Sequence, residues 1–310
     1  MPAPGKILVI RGGAIGDFIL TLPVLSALRR QFPETRLELL GYPHIAHLAT
    51  AGGLVDEVQS IEARALAGFF ARFGVLSAEL AAYFSRFALI VSYLYDPDEI
   101  FKTNVGKISK AQFLAGPHRP DERGRLHATE VFLRPLERLA IFDADTVPRL
   151  KIGKGAAAGL AGEGVRRVAM HPGSGSERKN WPEACWGELL DRVIGETGDS
   201  VLLIGGEAEE GRIERLAGRL PAARCQVAWK LPLPELAAAL QACQAFMGHD
   251  SGISHLAAAV GLPGIVLWAD TAEHIWRPRG DRVRMLRQEG GIRLLEVDRV
   301  FRELMASGVS

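Results

Sequence analysis

Three short stretches of the chain concentrate the residue types that chemistry needs. The first is Arg11-Gly12-Gly13-Ala14-Ile15-Gly16-Asp17, which follows the β-rich run Lys6–Arg11. Glycines at the carboxyl end of a strand let the backbone turn tightly and approach a ligand. The spacing is not that of a dinucleotide fingerprint, because Arg11 occupies the place of its first glycine. A carboxylate at Asp17 also repels a pyrophosphate in that turn. Such a carboxylate suits proton abstraction from an incoming hydroxyl, with Gly13 beside it where an acceptor would approach. The plainer alternative is that Asp17 only caps a helix.

The second stretch, His171-Pro172-Gly173-Ser174-Gly175-Ser176-Glu177-Arg178-Lys179-Asn180-Trp181-Pro182, lies between an expected strand and helix. Ser174 and Gly175 offer a hydroxyl and unhindered N–H groups, and Arg178 and Lys179 add positive charge. The helix start adds its own partial charge, so the whole reads as an anion cradle fit for a diphosphate. It lacks Walker-loop spacing. A solvated surface loop is the plainer reading, and Trp181 is read as a packing residue. In the third stretch, Gly248-His249-Asp250-Ser251-Gly252-Ile253-Ser254-His255, Asp250 is placed to accept bonds from sugar hydroxyls. Ser251 and the exposed N–H groups of Gly252 and Ile253 are placed to hold phosphate. Asp250 as a simple N-cap competes with this, and His255, four residues past Ser251, is either cleft-facing or structural. His249 and Asp250 have no further partners at metal-ligand spacing, so no metal is expected.

The elements that must position these residues follow from periodicity. Strands are expected at Lys6–Arg11, Leu37–Leu40 and Leu89–Ser92, then at Val165–His171, Ser200–Ile204, Ala245–Gly248 and Gly264–Trp268. Helical segments run from the first turn through Arg30, and over Trp181–Glu196, Glu207–Leu220, Leu233–Ala242, Ser251–Val260 and Val297–Ala306. Alternation of this kind implies parallel sheets covered by helices, in two Rossmann-like domains over residues 1–150 and 151–310. The join is read in the Pro148–Gly164 stretch, and the last helix is a candidate to pack back on the first domain. Apolar residues at 66, 69, 70, 73, 76, 80, 83, 84 and 87 form a helical stripe over Leu66–Phe87. Buried core is the expected fate of that stripe, with a membrane-surface helix as the alternative. Lys102, Lys107 and Lys110, then Arg119, Arg123 and Arg125, fall in an expected loop region and are candidates to meet an acidic acceptor, with solvated surface charge as the plainer reading.

Composition narrows the classes. Lysine and arginine exceed aspartate and glutamate by one, so no global field draws the chain to nucleic acid. The three cysteines are odd in number and lack metal spacing, which suits a reducing cytosol. No signal-peptide region opens the sequence, and no apolar run reaches the ~20 residues that span a bilayer. A cytoplasmic protein is expected, with any membrane contact peripheral at the inner face.

Taken together, the early Gly-x-x-Gly-Asp with Leu22-Pro23 behind it, the stretch from His171 to Pro182, and Asp250 to His255 followed by Gly261-Leu262-Pro263 resemble glycosyltransferase family 9, the bacterial heptosyltransferases of lipopolysaccharide core synthesis. The resemblance implies a GT-B fold with two parallel sheets facing a central cleft. It implies an ADP-heptose donor on the C-terminal domain, a lipid-linked saccharide acceptor on the N-terminal one, and inversion without a metal or cofactor. It places Asp17 on the family's proposed base and Lys179 on its diphosphate contact. Asp250 falls on the donor-sugar contact, Ser251 and Gly252 beside the phosphates, Glu207 near the ribose and Leu231 against adenine. Trp268-Ala269-Asp270-Thr271 departs from the family's aromatic-Gly-Pro-Thr turn, and Ser174-Gly175 from a hydroxyl pair. A sugar-nucleotide epimerase built around Asp250 and His255, or a non-catalytic sugar-nucleotide-binding protein, are the competing functions.

Overall fold

A computed structural model of the chain describes residues 5–153 and 165–306. The chain divides into two compact units, Met1–Thr146 and Val147–Ser310. Residues 154–164 of the expected join lie outside the described residues.

In the first unit the order is β1 (Lys6–Arg11), α1 (Ile15–Ile19), α2 (Leu22–Gln31), β2 (Leu37–Gly41), α3 (Pro43–Ala51) and β3 (Glu57–Ser60). There follow α4 (Ala78–Phe84), β4 (Phe87–Ser92), α5 (Ile100–Gly106), β5 (Gln112–Ala115) and α6 (Ala128–Leu133). The sheet runs β3-β2-β1-β4-β5, with every pair parallel. Leu8, Val9 and Ile10 are consecutive and all buried. That is the pattern of a strand covered on both faces, where apolar residues need not alternate.

The second unit repeats this plan with β6 (Arg167–Met170), α7 (Glu183–Glu196), β7 (Ser200–Gly205), α8 (Glu210–Ala217), β8 (Cys225–Trp229) and α9 (Leu233–Gln241). It continues with β9 (Ala245–His249), α10 (Gly252–Ala259), β10 (Gly264–Leu267), α11 (Glu273–Trp276), β11 (Val283–Leu286) and α12 (Val297–Ala306). Its sheet runs β11-β10-β9-β6-β7-β8, again with parallel pairs. Counted from its own first strand, this is the order 3-2-1-4-5-6 of a doubly wound nucleotide-binding sheet. The last helix packs on α7 and β10. Val297, Val300, Phe301 and Leu304 join the core of the second unit.

In both sheets the strand order reverses direction next to the first strand, between β1 and β4 and between β6 and β9. Crossovers leave on opposite sides there, opening a crevice at the carboxyl ends. The turn carrying Asp17 follows β1, the loop carrying Lys179 follows β6, and Asp250 follows β9.

The structure corrects three local expectations. The opening helix is two helices, broken at Leu20-Thr21, and Pro23 sits in the first turn of the second. The region from 102 to 125 is not one loop, since it contains most of α5 and all of β5. The stripe over Leu66–Phe87 is not one helix either. A 3-10 turn covers Arg64–Phe70, α4 begins only at Ala78, and β4 has already started at Phe87. Gly68 and Gly74 explain the break. A Cβ on Gly74 would lie 2.0 Å from the Gly68 carbonyl oxygen, so the chain doubles back on a contact that only glycine permits. The Asn104 amide secures this reversal by donating to the carbonyls of Phe69 at 3.0 Å and Ala71 at 2.9 Å. Phe69 consequently reaches the core at 0 % exposure while Phe73 is 97 % exposed. One continuous amphipathic helix would bury both. Phe69→Ala should therefore cost about 3–5 kcal/mol of unfolding free energy by urea titration. Phe73→Ala should stay within about 0.5 kcal/mol of the native chain, and equal losses would restore the single helix.

Candidate active site

Asp17 occupies the third position of α1. Its Oδ2 accepts the Ala14 N–H at 3.3 Å, so the capping role is real, if long. The carboxylate is not consumed by it: the side chain keeps 25 % exposure. Gly13 makes room, with φ at +103° and a hypothetical Cβ 3.1 Å from Asp17 Oδ2. Behind the carboxylate lies Arg11, whose Nη2 is 3.8 Å from Asp17 Oδ1 and donates to the Asp17 carbonyl at 3.1 Å. Arg11 Nη1 donates to the His118 carbonyl at 2.9 Å. Burial pulls the Arg11 pKa down, against the opposing pull of Asp17 and Tyr93.

His118 forms part of the wall of a pocket of about 250 Å³ at the carboxyl ends of β4 and β5, shared with Tyr95, Asp96, Glu99 and Lys102. Tyr95 is 70 % exposed and meets the His118 ring edge-on at 4.6 Å. Asp96 spends both carboxylate oxygens on the N–H groups of Phe101 and Lys102 that open α5. Of the basic residues expected to meet an acceptor, only Lys102 lines this pocket, paired with Glu99 at 2.8 Å. Lys107 caps α5 and donates to Asn104 Oδ1 at 2.7 Å. Arg119 pairs with Glu122 at 3.3 Å and Arg123 is exposed, both beyond β5. Tyr95 and His118 carried no motif and were not singled out from the sequence.

In the second unit the loops after β6 and β9 meet. Lys179 Nζ contacts Asp250 Oδ2 at 2.6 Å, and Thr271 Oγ1 donates to the same oxygen at 2.6 Å. Asp250 is thus not the N-cap of α10; Ser251 holds that position. Trp268 Nε1 donates to the Thr271 carbonyl at 2.8 Å, so the departing Trp-Ala-Asp-Thr turn still brings its threonine to Asp250. Arg178 is exposed in the same loop, while Glu177 is engaged by Arg212 at 2.8 Å. Ser174 Oγ contacts Asn180 Oδ1 at 2.7 Å and accepts the Ser176 N–H at 3.3 Å, so it stitches the loop. Gly175 is exposed in the loop after β6, and half-exposed Ser251 and Gly252 open α10. His255 is buried. Glu207 is exposed, 3.5 Å from Lys230 Nζ, and Leu231 follows half-buried. Among the described residues no group of three or more His, Cys, Asp or Glu could hold a metal ion.

The least anticipated residue is His249. Its Nε2 accepts the Trp181 N–H at 2.9 Å, which requires an unprotonated nitrogen, and its Nδ1 therefore carries the hydrogen given to the Gly173 carbonyl at 3.2 Å. One neutral ring thus ties both ends of the loop that carries Lys179. Burial holds its pKa down at about 3, with His171 nearby adding to the effect, and burial alone holds His171 at about 4. Trp181 Nε1 donates to the Leu295 carbonyl at 2.9 Å, making it the packing residue expected.

These two histidines make a pH prediction with a definite sign. Unfolded, each takes up a proton near its ordinary value of about 6.5; folded, they remain neutral down to about 4 and about 3. Stability is therefore full above about pH 6.5 and falls as the pH drops toward 4. At pH 5 each histidine contributes a loss of about 2 kcal/mol. The difference in unfolding free energy between pH 7 and pH 5 should shrink in His249→Gln, whatever that variant loses at pH 7. An unchanged difference would show that His249 titrates normally in the folded chain.

Comparison with known proteins bears on this geometry. Residues 148–295 match the profile of glycosyltransferase family 9 (heptosyltransferase). The chain is 23% identical to lipopolysaccharide heptosyltransferase 3 of Escherichia coli over 293 residues, covering 85% of this chain and 83% of that one. A stretch of 94 residues is 42% identical to lipopolysaccharide heptosyltransferase 1 of Pseudomonas aeruginosa, covering 30% of this chain and 26% of that one. Among solved structures, a glycosyl transferase family 9 protein of Veillonella parvula superposes with a TM-score of 0.80 at 18% identity, over 99% of this chain and 98% of that one. The E. coli heptosyltransferase WaaC with ADP superposes at 0.75 and 19% identity, over 97% and 99%. Two doubly wound parallel sheets with the motifs at their switch points are the GT-B architecture of these proteins, and residues 148–295, within the second unit, carry the glycosyltransferase family 9 profile.

Proposed function

We propose that the chain is an inverting, metal-independent glycosyltransferase that moves a heptose or closely related sugar from ADP-heptose to a lipid-linked saccharide acceptor of the lipopolysaccharide core. The observation that carries the reading is the pairing of Lys179 with Asp250 across the β6/β9 switch point, within the span matched to the family. A lysine parked on a carboxylate at 2.6 Å is ready to change partners. An arriving diphosphate takes the ammonium, and Asp250 is released to accept hydrogen bonds from the sugar. The relatives named as lipopolysaccharide heptosyltransferases and the solved WaaC with ADP support the donor class.

The first unit supplies the acceptor side. Asp17 takes the proton of the attacking hydroxyl as the new glycosidic bond forms at the anomeric carbon and the bond to the diphosphate breaks, a role worth roughly 10²–10⁴ in rate. Charge developing on the leaving diphosphate is met by Lys179, exposed Arg178 and the N-terminal N–H groups of α10. No cofactor enters, and the protein works at the inner face of the cytoplasmic membrane.

The reading has separable tests. Asp17→Asn should lower kcat at least about 10²-fold while ADP affinity by calorimetry stays near native, and retained turnover would remove Asp17 from the chemistry. Lys179→Ala should weaken ADP binding at least tenfold, or about 1.4 kcal/mol; native affinity would dissolve the cradle. Tyr95→Ala should raise the acceptor KM severalfold with kcat and ADP affinity little changed. A KM that does not move would take the pocket after β4 and β5 out of acceptor binding.

A further inference from the structure

We propose that Arg11 is the positioning residue of the catalytic carboxylate, setting Asp17 in register with the wall of the acceptor pocket. This rests on the transferase reading above. The guanidinium is a single rigid fork: one nitrogen donates to the His118 carbonyl at 2.9 Å, the other to the Asp17 carbonyl at 3.1 Å. The second nitrogen also lies 3.8 Å from Asp17 Oδ1. Because the fork is planar and fixed, the turn after β1 and the loop after β5 are held at a set separation. The Phe132 ring centroid lies 4.5 Å from the guanidinium carbon and that of Tyr93 5.9 Å. Those rings leave the fork no room to swing, and Tyr93 is itself pinned by donating to the Phe132 carbonyl at 2.6 Å.

The fold alone does not call for this residue. Desolvating a guanidinium is costly, and here Nε is buried with no hydrogen-bond partner among the described residues. Each group that Arg11 touches has another way to be satisfied. The Asp17 carbonyl also accepts Thr21 Oγ1 at 2.8 Å, the Asp17 carboxylate is partly solvated and accepts the Ala14 N–H, and His118 is exposed. Removing Arg11 strands none of them in a dry interior. A buried, incompletely satisfied cation aimed at a reactive carboxylate is the arrangement expected where geometry is being fixed at a cost in stability.

The experiment compares Arg11→Met and Arg11→Lys with the native chain, using ADP release from ADP-heptose in the presence of a deacylated lipopolysaccharide acceptor. Calorimetric ADP affinity and the thermal midpoint are read in parallel. Arg11→Met fills the slot with an apolar chain of similar length, so the midpoint should hold or rise. Its kcat should fall by about 10²-fold, the scale of a misplaced reacting group, with ADP affinity unchanged. Arg11→Lys keeps the charge but cannot bridge both carbonyls, so its kcat should lie between the two. A kcat within threefold of native in Arg11→Met overturns the proposal. So does a loss of kcat that both variants share together with a matching fall in midpoint, which marks a structural residue. Native turnover that Asp17→Asn abolishes but Arg11→Met leaves intact sinks this inference alone. Absence of turnover in the native chain sinks the transferase reading and this inference with it.

Discussion

Both units depend on a topological constraint: a parallel sheet whose strand order reverses beside its first strand. At that point adjacent crossovers diverge to opposite faces, so no helix closes over the carboxyl ends of the two strands. In the first unit the gap lies between β1 and β4, and in the second between β6 and β9. Backbone N–H groups and loop side chains can face a ligand there without competing with ladder hydrogen bonds. The Asp17 turn, the Lys179 loop and Asp250 follow the strands that flank these two gaps, and the Tyr95 pocket lies one strand further along, at the ends of β4 and β5.

The seven strands legible in the sequence, β1, β2, β4, β6, β7, β9 and β10, are the interior strands of the two sheets; the four that were not, β3, β5, β8 and β11, are the edges. The reason is solvent. An interior parallel strand is covered on both faces and is apolar over most of its length, as Leu8-Val9-Ile10 and Leu202-Leu203-Ile204 are. An edge strand is half-wet, and Glu57-Val58-Gln59-Ser60 has no fully buried residue at all. Polarity suits an edge, since it discourages pairing with another chain. It also erases the pattern by which a strand is read. The stripe over Leu66–Phe87 failed for a different reason: helical periodicity is blind to a tertiary contact such as Gly68 against Gly74.

The site divides along the same line. Placements announced by neighbours in the chain, such as Asp17 in the glycine turn after β1 or Lys179 in the Ser/Gly loop after β6, are readable from spacing. Residues that act by reaching across the sheet are not. Thr271 bonds Asp250 from 21 residues away, His249 holds Trp181 from 68, and Arg11 holds His118 from 107. His249 was weighed only as a metal ligand, because sequence shows a side chain's donors and acceptors but not which are already spent. Its two bonds leave no lone pair for a ligand.

The same cationic chemistry serves two purposes here, and burial decides which. Lys179 is partly exposed on a flexible four-carbon stem, and its bond to Asp250 competes with water and with any better anion. On the proposed reading, such a lysine gives up its carboxylate for an arriving diphosphate. Arg11 is enclosed by Phe132 and Tyr93, and its field reaches Asp17 with little water between to screen it. A charge placed so cannot exchange partners; it can only define where they sit. A net charge near zero for the whole chain conceals this division. One cation is partly exposed on a carboxylate it shares with Thr271, and the other is buried and bridges the turn after β1 to the loop after β5.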